Sequence, residues 1–292
     1  PAERVGLVGQ PDVQRVAVQF GIHGDRLDAH FAGGTDDTDG NLAAVGDQDL
    51  GEHIWQSIPV PPTRPIPPTW NVTVVAETGS TNSDLIAAAA AGQAHRSVLV
   101  AGHQTAGRGR LDRTWDAPPG SNLLMSILLR NVDGADATKR VGLAALEAAR
   151  RAGVNATLKW PNDVLVDDRK LAGILAQAGG SGDQAFVVVG LGLNVRWAPD
   201  GAACLGADHD PADVLADVLD AYDALPASLA ERYRASLATI GRRVRVERPA
   251  DSIVGDALDV LPTGELVIDV DGRRITVSAG DVIHLRDAEP LA

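Results

Sequence analysis

Cysteine is almost absent: Cys204 is the single one in 292 residues. That excludes an internal disulfide framework and any cysteine-built zinc site. The thiol itself is expected to be a buried small hydrophobe. Aromatic residues make up only 3% of the chain, whereas hydrophobic residues reach 45%. The core must therefore be built mainly from Ala, Val, Leu and Ile. No apolar run is long enough to span a bilayer and no secretory leader pattern is present, so the expected setting is soluble, reducing and cytoplasmic. The net charge of −13 leaves no basic face for broad nucleic-acid or membrane-surface binding, and neither partner is expected. Lysine is also rare. Of 26 basic residues only Lys139, Lys159 and Lys170 are Lys; the rest are Arg. Where this chain keeps a compact ammonium, the point charge is expected to matter.

Residues 1–68 differ in texture from the rest. Asp25, Asp28, Asp36, Asp37, Asp39, Asp47, Asp49 and Glu52 are opposed nearby only by Arg26, and Pro59 to Pro68 holds six prolines in ten residues. The composition reads as an acidic, disordered segment ending in an extended linker. Translation from upstream of a true start is a second reading of this segment. Residues 69–239 read as a globular α+β domain, a mixed sheet packed with helices on one face. Strands are expected at Val72–Ala76, Ser97–His103, Asn122–Leu129, Thr157–Lys159, Val164–Val166, Leu171–Ala176 and Ala185–Val195. Helices are expected at Ser83–Ala91, Ala135–Ala152, Pro211–Leu225 and Ala227–Leu237. The turn Thr78-Gly79-Ser80-Thr81-Asn82 carries side chains suited to capping the first helix. Residues 240–286 hold five short alternating strands with turn signals at Pro262-Thr263-Gly264 and Asp271-Gly272, a pattern that predicts a small SH3-like β-barrel.

Four clusters carry chemistry. Gly107-Arg108-Gly109-Arg110-Leu111-Asp112-Arg113-Thr114-Trp115 sets three guanidiniums and two glycines in nine residues. Guanidiniums bind phosphate and carboxylate as planar forks, and glycine lets backbone approach a ligand. The stretch reads as a loop closing over an anion, with a solvated basic turn as the alternative. Lys159-Trp160-Pro161-Asn162-Asp163 leaves an ammonium, an indole, an amide and a carboxylate at one strand end, because proline holds the residue before it extended. A tryptophan plug with an Asn-Asp turn is the bland reading. Arg169-Lys170-Leu171-Ala172-Gly173-Ile174-Leu175 puts an ammonium at the edge of an apolar strand, where it requires an anion or carbonyl partner. That partner is a ligand carboxylate or a structural ion pair. Gly190-Leu191-Gly192-Leu193-Asn194 places glycines on a central strand, a sign of close approach by a ligand or another backbone. Neither glycine motif fits a dinucleotide fingerprint, and no phosphate-binding GxxxxGK[ST] is present.

Together with Ser80-Thr81-Asn82 these clusters stand in the order found in one family: the chain resembles the biotin–protein ligases, whose marks are a Ser-Thr-Asn turn, a GRGR…W loop, KWPND, a KLAGIL strand and a GxGxN strand end. The resemblance spans roughly residues 70–286. It implies a catalytic domain followed by the small barrel, and activation of biotin by ATP with Mg²⁺ to biotinyl-5′-adenylate. The biotin then passes to a lysine of a biotin carboxyl carrier protein. By the same resemblance, Ser80, Thr81, Asn82 and Gln104 bind biotin; Arg108, Gly109 and Arg110 close over it; Lys170 holds its carboxylate. Arg113, Trp115, Lys159, Trp160, Asn162 and Asn194 face the nucleotide, and Asp163 orients or deprotonates the incoming lysine. No protein metal ligand is assigned, the Mg²⁺ going with the ATP phosphates. A monomer or a homodimer is expected, the sequence not deciding between them. Some members carry an N-terminal DNA-binding domain; residues 1–68 show no recognition helix, so a ligase without DNA regulation is expected. A lipoate–protein ligase and a non-enzymatic biotin-binding regulator are the competing readings. Ordering about ten flap residues costs on the order of 10 kcal/mol of backbone entropy. With only Leu111 and Trp115 as apolar anchors, residues 107–116 are expected to be mobile until biotin or the adenylate orders them.

Overall fold

The computed structural model describes residues 62–248 and 251–285. Two sheets organise them. The larger has seven strands: β1 (Asn71–Thr78), β2 (Ser97–Gln104), β3 (Leu123–Arg130), β4 (Ala156–Lys159), β5 (Asp163–Val166), β6 (Arg169–Gly179) and β7 (Phe186–Leu193), in the order β1-β2-β3-β7-β6-β5-β4. Only β1 and β2 run parallel; the other neighbours are antiparallel. The mixed sheet read from the sequence is thus present.

Helices cover both faces of this sheet, not one as expected. Helix α2 (Gly134–Arg151) buries Val141, Leu143, Ala144, Leu146 and Ala148. It packs with α3 (Pro211–Ala224) over Ile127, Leu129, Val187 and Val189. Helix α1 (Thr81–Ala90) lies on the other face, where Leu85 and Ala89 meet Leu128, Phe186 and Val188. Successive strand residues point to opposite sides, so the continuous apolar run of β3 and β7 serves two layers at once. Caps differ among the helices. Asp133 accepts from Ala135 N and Asp136 N to start α2, and Asp210 accepts from Ala212 N to start α3 behind Pro211. Ser80 sits at the N-cap of α1 but its side chain makes no capping bond. The capping role expected of this turn is therefore absent, and its side chains are turned to other work. A short helix, α4 (Ala230–Ser236), follows.

The second sheet comprises β8 (Arg243–Glu247), β9 (Ser252–Val260), β10 (Leu266–Val270), β11 (Arg273–Val277) and β12 (Asp281–His284), in the order β11-β10-β9-β8-β12. All five strands of the expected small barrel form. Among the described residues no ladder joins β11 to β12, so the sheet is left open at that seam. The Asp271-Gly272 turn has φ values of 52° and 80°, the left-handed pair a two-residue hairpin demands.

The expectations for residues 1–61 lie outside the described residues. Part of the proline-rich stretch is described, and it is docked. Thr63 N and Oγ1 donate to Asp213 Oδ1 at 2.6 and 2.9 Å, Arg64 pairs with Asp217, and Ile66 packs on the core. The composition signals a tether there, but specific side chains fasten it to α3. Cys204 is half-buried instead of buried.

Candidate active site

The cavity opens on the α1 side of the large sheet, and three missing side chains make its floor. Gly173 on β6 faces Gly192 on β7, and Gly190 lies two residues along the same face. A Cβ on Gly192 would stand 2.4 Å from Trp115 Cε2, and one on Gly190 would stand 2.3 Å from Asn82 Oδ1. The close approach read from these glycines is therefore real, and the approaching groups are an indole and an amide of the chain itself. The cavity is about 330 Å³, at the small end of the ~300–1,000 Å³ found for ligand sites.

The flap is a tight hairpin. Trp115 N donates to Gly107 O at 2.9 Å and Gly109 N to Arg113 O at 2.6 Å. Leu111 and Asp112 both have φ of 55° at its tip. Gly107 has no room for a side chain, since a Cβ would lie 2.3 Å from Trp115 O. Leu111 is 60% exposed, so it anchors nothing, contrary to expectation. Trp115 alone packs inward, over Gly173 and Gly192. Its Nε1 is buried without a hydrogen-bond partner among the described residues.

The guanidiniums reach across to the second sheet. Arg110 donates to Asn162 Oδ1 at 2.8 Å and to Gly280 O at 3.2 Å. Burial lowers its pKa, while Asp281 and Asp163 act in the opposite direction. Arg113 pairs with Asp281, and that hydrogen bond raises its pKa. Arg108 is exposed on the cavity lining. Lys170 Nζ stands 2.7 Å from Asp163 Oδ1 and 5.6 Å from the Trp115 ring centroid. The strand-edge ammonium thus has its anion in the protein, through an ion pair on the cavity lining. Four cations and three carboxylates line the cavity: Arg108, Arg110, Arg113 and Lys170 against Asp116, Asp163 and Asp281.

At the other end, Thr81 N and Oγ1 donate to Gln104 Oε1 at 2.8 and 3.0 Å. Ser80, Thr81 and Asn82 sit at the start of α1, all buried. Asn194 is also buried, its Nδ2 donating to Ala203 O at 3.0 Å and its Oδ1 accepting from Asn122 Nδ2 at 3.2 Å. It borders the cavity while tying the following loop to β7.

Of the expected site residues, Ser80, Thr81, Asn82, Gln104, Arg108, Gly109, Arg110, Arg113, Trp115, Asn162, Asp163, Lys170 and Asn194 all line this one cavity. Lys159 and Trp160 do not. Trp160 is 2% exposed and plugs the seam to the second sheet, with its Nε1 donating to Gly264 O at 2.8 Å and its N to Thr239 Oγ1 at 3.0 Å. Its one donor is satisfied in the core, and it does not line this cavity. Lys159 lies by the same seam, close enough for its charge to depress His284. Sequence reasoning missed Asp281 on the cavity lining. It opens a strand of the second sheet and nothing near it in sequence marks it.

Residues 78–194 match the Biotin/lipoate A/B protein ligase family, and residues 239–285 match the Biotin protein ligase C terminal domain. A biotin–[acetyl-CoA-carboxylase] ligase of Mycobacterium tuberculosis is 42% identical over 240 residues, covering 73% of this chain and 88% of that protein. The chain belongs to the biotin protein ligase family. A second ligase of that name, from Paracoccus denitrificans, is 36% identical and 75% covered. The bifunctional ligase/repressor BirA of Escherichia coli is 41% identical, but only 32% of its length is matched. Among solved structures, the biotin protein ligase of Aquifex aeolicus in complex with biotin and ATP superposes with a TM-score of 0.63 at 26% identity, covering 74% of this chain and 99% of that one. The ligase fold therefore accounts for both sheets, and the five sequence motifs converge on its cavity.

Proposed function

We propose that this protein couples biotin to ATP and passes the activated biotin to a lysine of a carboxylase carrier protein. The observation that carries the reading is Lys170 facing the arginine flap across a glycine-floored cavity. Biotin's carboxylate oxygen attacks the α-phosphorus; a P–O bond forms, the α–β anhydride bond breaks and pyrophosphate leaves. Two anions must meet, and their repulsion is a large part of the barrier. Lys170 holds the carboxylate. Arg108 and Arg110, with the backbone of Gly109 between them, close over the reacting groups, and Arg113, Trp115 and Asn162 take the nucleotide side. In the second step the acceptor amine attacks the acyl carbon, loses a proton and expels AMP. Asp163, paired with Lys170 on the cavity wall, would orient that amine.

Mg²⁺ fits this site as a companion of the phosphates. Among the described residues no cluster of three His, Cys, Asp or Glu side chains forms a protein metal centre. Two of the three carboxylates on the cavity, Asp163 and Asp281, are occupied by ion pairs. Phosphate oxygens would supply most of the ligands, and the ion would offset phosphate charge. Biotin at the Ser80, Thr81 and Gln104 end places its carboxylate toward Lys170. No described helix is long and apolar enough to cross a membrane. We assign no nucleic-acid partner; a specific gel shift on a biotin-operon promoter at low salt would reverse that.

The test is exchange of labelled pyrophosphate into ATP, followed by transfer to an apo-carrier protein. Exchange that depends on biotin and not on lipoate, with transfer to the carrier, is expected. Exchange driven by lipoate would move the protein to the lipoate branch of its family. Biotin binding without exchange would make it a regulator.

A further inference from the structure

The polar row beneath the biotin end has a direction, set by a backbone carbonyl and held in place by two side chains outside the family's motifs. Asn82 Nδ2 donates to Leu175 O at 3.2 Å and to Gln177 Oε1 at 2.8 Å. A backbone carbonyl only accepts, so the amide cannot be turned over. Its Oδ1 therefore faces Ser126, whose Oγ is 2.6 Å away. Ser126 is fully buried on β3, directly opposite Gly190 on β7. The bare Cα of Gly190 leaves the space that Asn82 Oδ1 occupies, 2.3 Å from where a Cβ would be. Ser126 Oγ is also 2.7 Å from Thr81 Oγ1, which in turn lies 3.0 Å from Gln104 Oε1.

The protons can be counted along this row. Both amide protons of Asn82 are spent on β6, and its oxygen is taken by Ser126. The one hydroxyl proton of Thr81 lies between two acceptors, Ser126 Oγ and Gln104 Oε1. Gln104 Oε1 is fixed by the Thr81 backbone N–H, so its Nε2 is turned away, toward the base of the flap, 3.1 Å from where a Gly107 Cβ would be. The donors left for a ligand are the Gln104 Nε2 protons and the Ser80 hydroxyl. Thr81 Oγ1 is left as an acceptor.

We infer that Ser126 and Gln177 are positioning residues of the biotin site, and that Asn82 is held as their intermediary with no polar contact of its own to biotin. This rests on the function proposed above. The row presents donors where a ureido oxygen arrives and an acceptor where a ureido N–H arrives. Leu175 O still keeps the Asn82 amide from turning over, so loss of either side-chain anchor loosens the row and shifts the Thr81 and Gln104 groups without touching the phosphate end.

Isothermal titration of biotin, with steady-state exchange kinetics, tests this on Ser126→Ala, Gln177→Leu and Gln177→Glu. Losing one anchoring hydrogen bond is expected to raise the biotin Kd and KM about tenfold in the first two, with kcat and the KM for ATP unchanged. Gln177→Glu keeps an acceptor for Asn82 and is expected to restore biotin affinity. Should Ser126→Ala fail to fold, the Gln177 pair at its half-buried position decides. Folded variants that bind biotin as the natural protein does would overturn the inference alone. So would a loss in Gln177→Leu that Gln177→Glu shares, or one that affects both substrates equally. A natural protein that binds no biotin would remove the proposed function and this inference with it.

Discussion

Replacing Lys170 by Ala separates chemistry from folding more sharply than any other change at this site. Its ammonium pairs with Asp163 Oδ1 at 2.7 Å, but the Lys170 side chain is 39% exposed. Solvent screens such a pair, which is worth up to about 1 kcal/mol. Losing it should lower Tm by only about 2–4 °C in a domain of this size. Catalysis is another matter. Lys170 lines the cavity, and on the proposed function two anions approach its ammonium there, where a well-aimed donor contributes about 3–4 kcal/mol. Adenylate formation should therefore fall about 10²–10³-fold, read as biotin-dependent pyrophosphate exchange. Lys170→Arg should recover only part of this, because a planar guanidinium does not reproduce a point charge packed 3.0 Å from the Cβ position of Gly173. Near-normal exchange by the Ala variant would remove Lys170 from the mechanism. A collapse of Tm would show the ion pair to be structural first.

Trypsin should cut between Arg108 and Arg113 in the empty protein and more slowly with saturating biotin and ATP; equal rates would refute a ligand-ordered flap. His284 is held at about 4, below its ordinary 6.5, by burial and by the Arg242 and Lys159 charges, with Asp168 opposing. The unfolded chain therefore takes up a proton that the folded one refuses. Stability should be unaffected above about pH 6.5 and fall toward pH 4, by up to about 3 kcal/mol. His284→Gln should flatten that part of a denaturation profile, and an unchanged profile would rule His284 out. Gly192→Ala should displace Trp115 from the sheet, costing about 1–3 kcal/mol and changing tryptophan fluorescence; an unaltered spectrum would contradict the packing.

The fold was largely legible because its signals are local. Apolar runs bounded by Gly and Asp gave the strands of both sheets, and the 3.6-residue spacing from Val141 to Ala148 gave α2. What failed was the side on which things pack. The Ala-rich segment after Ser80 is apolar almost all round, so nothing in it says which face of the sheet it covers. Trp160 failed for a related reason: an indole beside a proline reads alike as a ligand wall or a plug, and only the position of Gly264, over a hundred residues on, decides. Conversely, Gly190 and Gly192 were read correctly as close-approach positions, because a bare Cα on a central strand has few other uses. Asp281 was beyond reach, since its partner Arg113 lies in another sheet's loop.

That long-range contact bears on how the flap works. Arg110 bridges Asn162 at the large sheet to Gly280 O beside the second, and Arg113 pairs with Asp281 of the second. The second sheet therefore helps set where two of the three flap guanidiniums stand. On the proposed function, a triphosphate entering the cavity would compete with Asp281 for Arg113, and a carboxylate would compete with Asp163 for Lys170. In both cases a protein carboxylate already occupies the place a substrate anion would take. Each cation is thereby kept oriented before substrate arrives, and the exposed pairs are weak enough to exchange. Had the partners been deeply buried, breaking them would leave an unpaired charge at a cost of several kcal/mol, and the flap would be locked instead of poised. An Asp281→Asn variant that keeps an oxygen acceptor but no charge distinguishes the two roles. If Asp281 orients Arg113 by geometry, flap protection by biotin and ATP should survive the change; if it competes by charge, nucleotide should bind more tightly. Loss of flap protection together with weaker nucleotide binding would refute both roles.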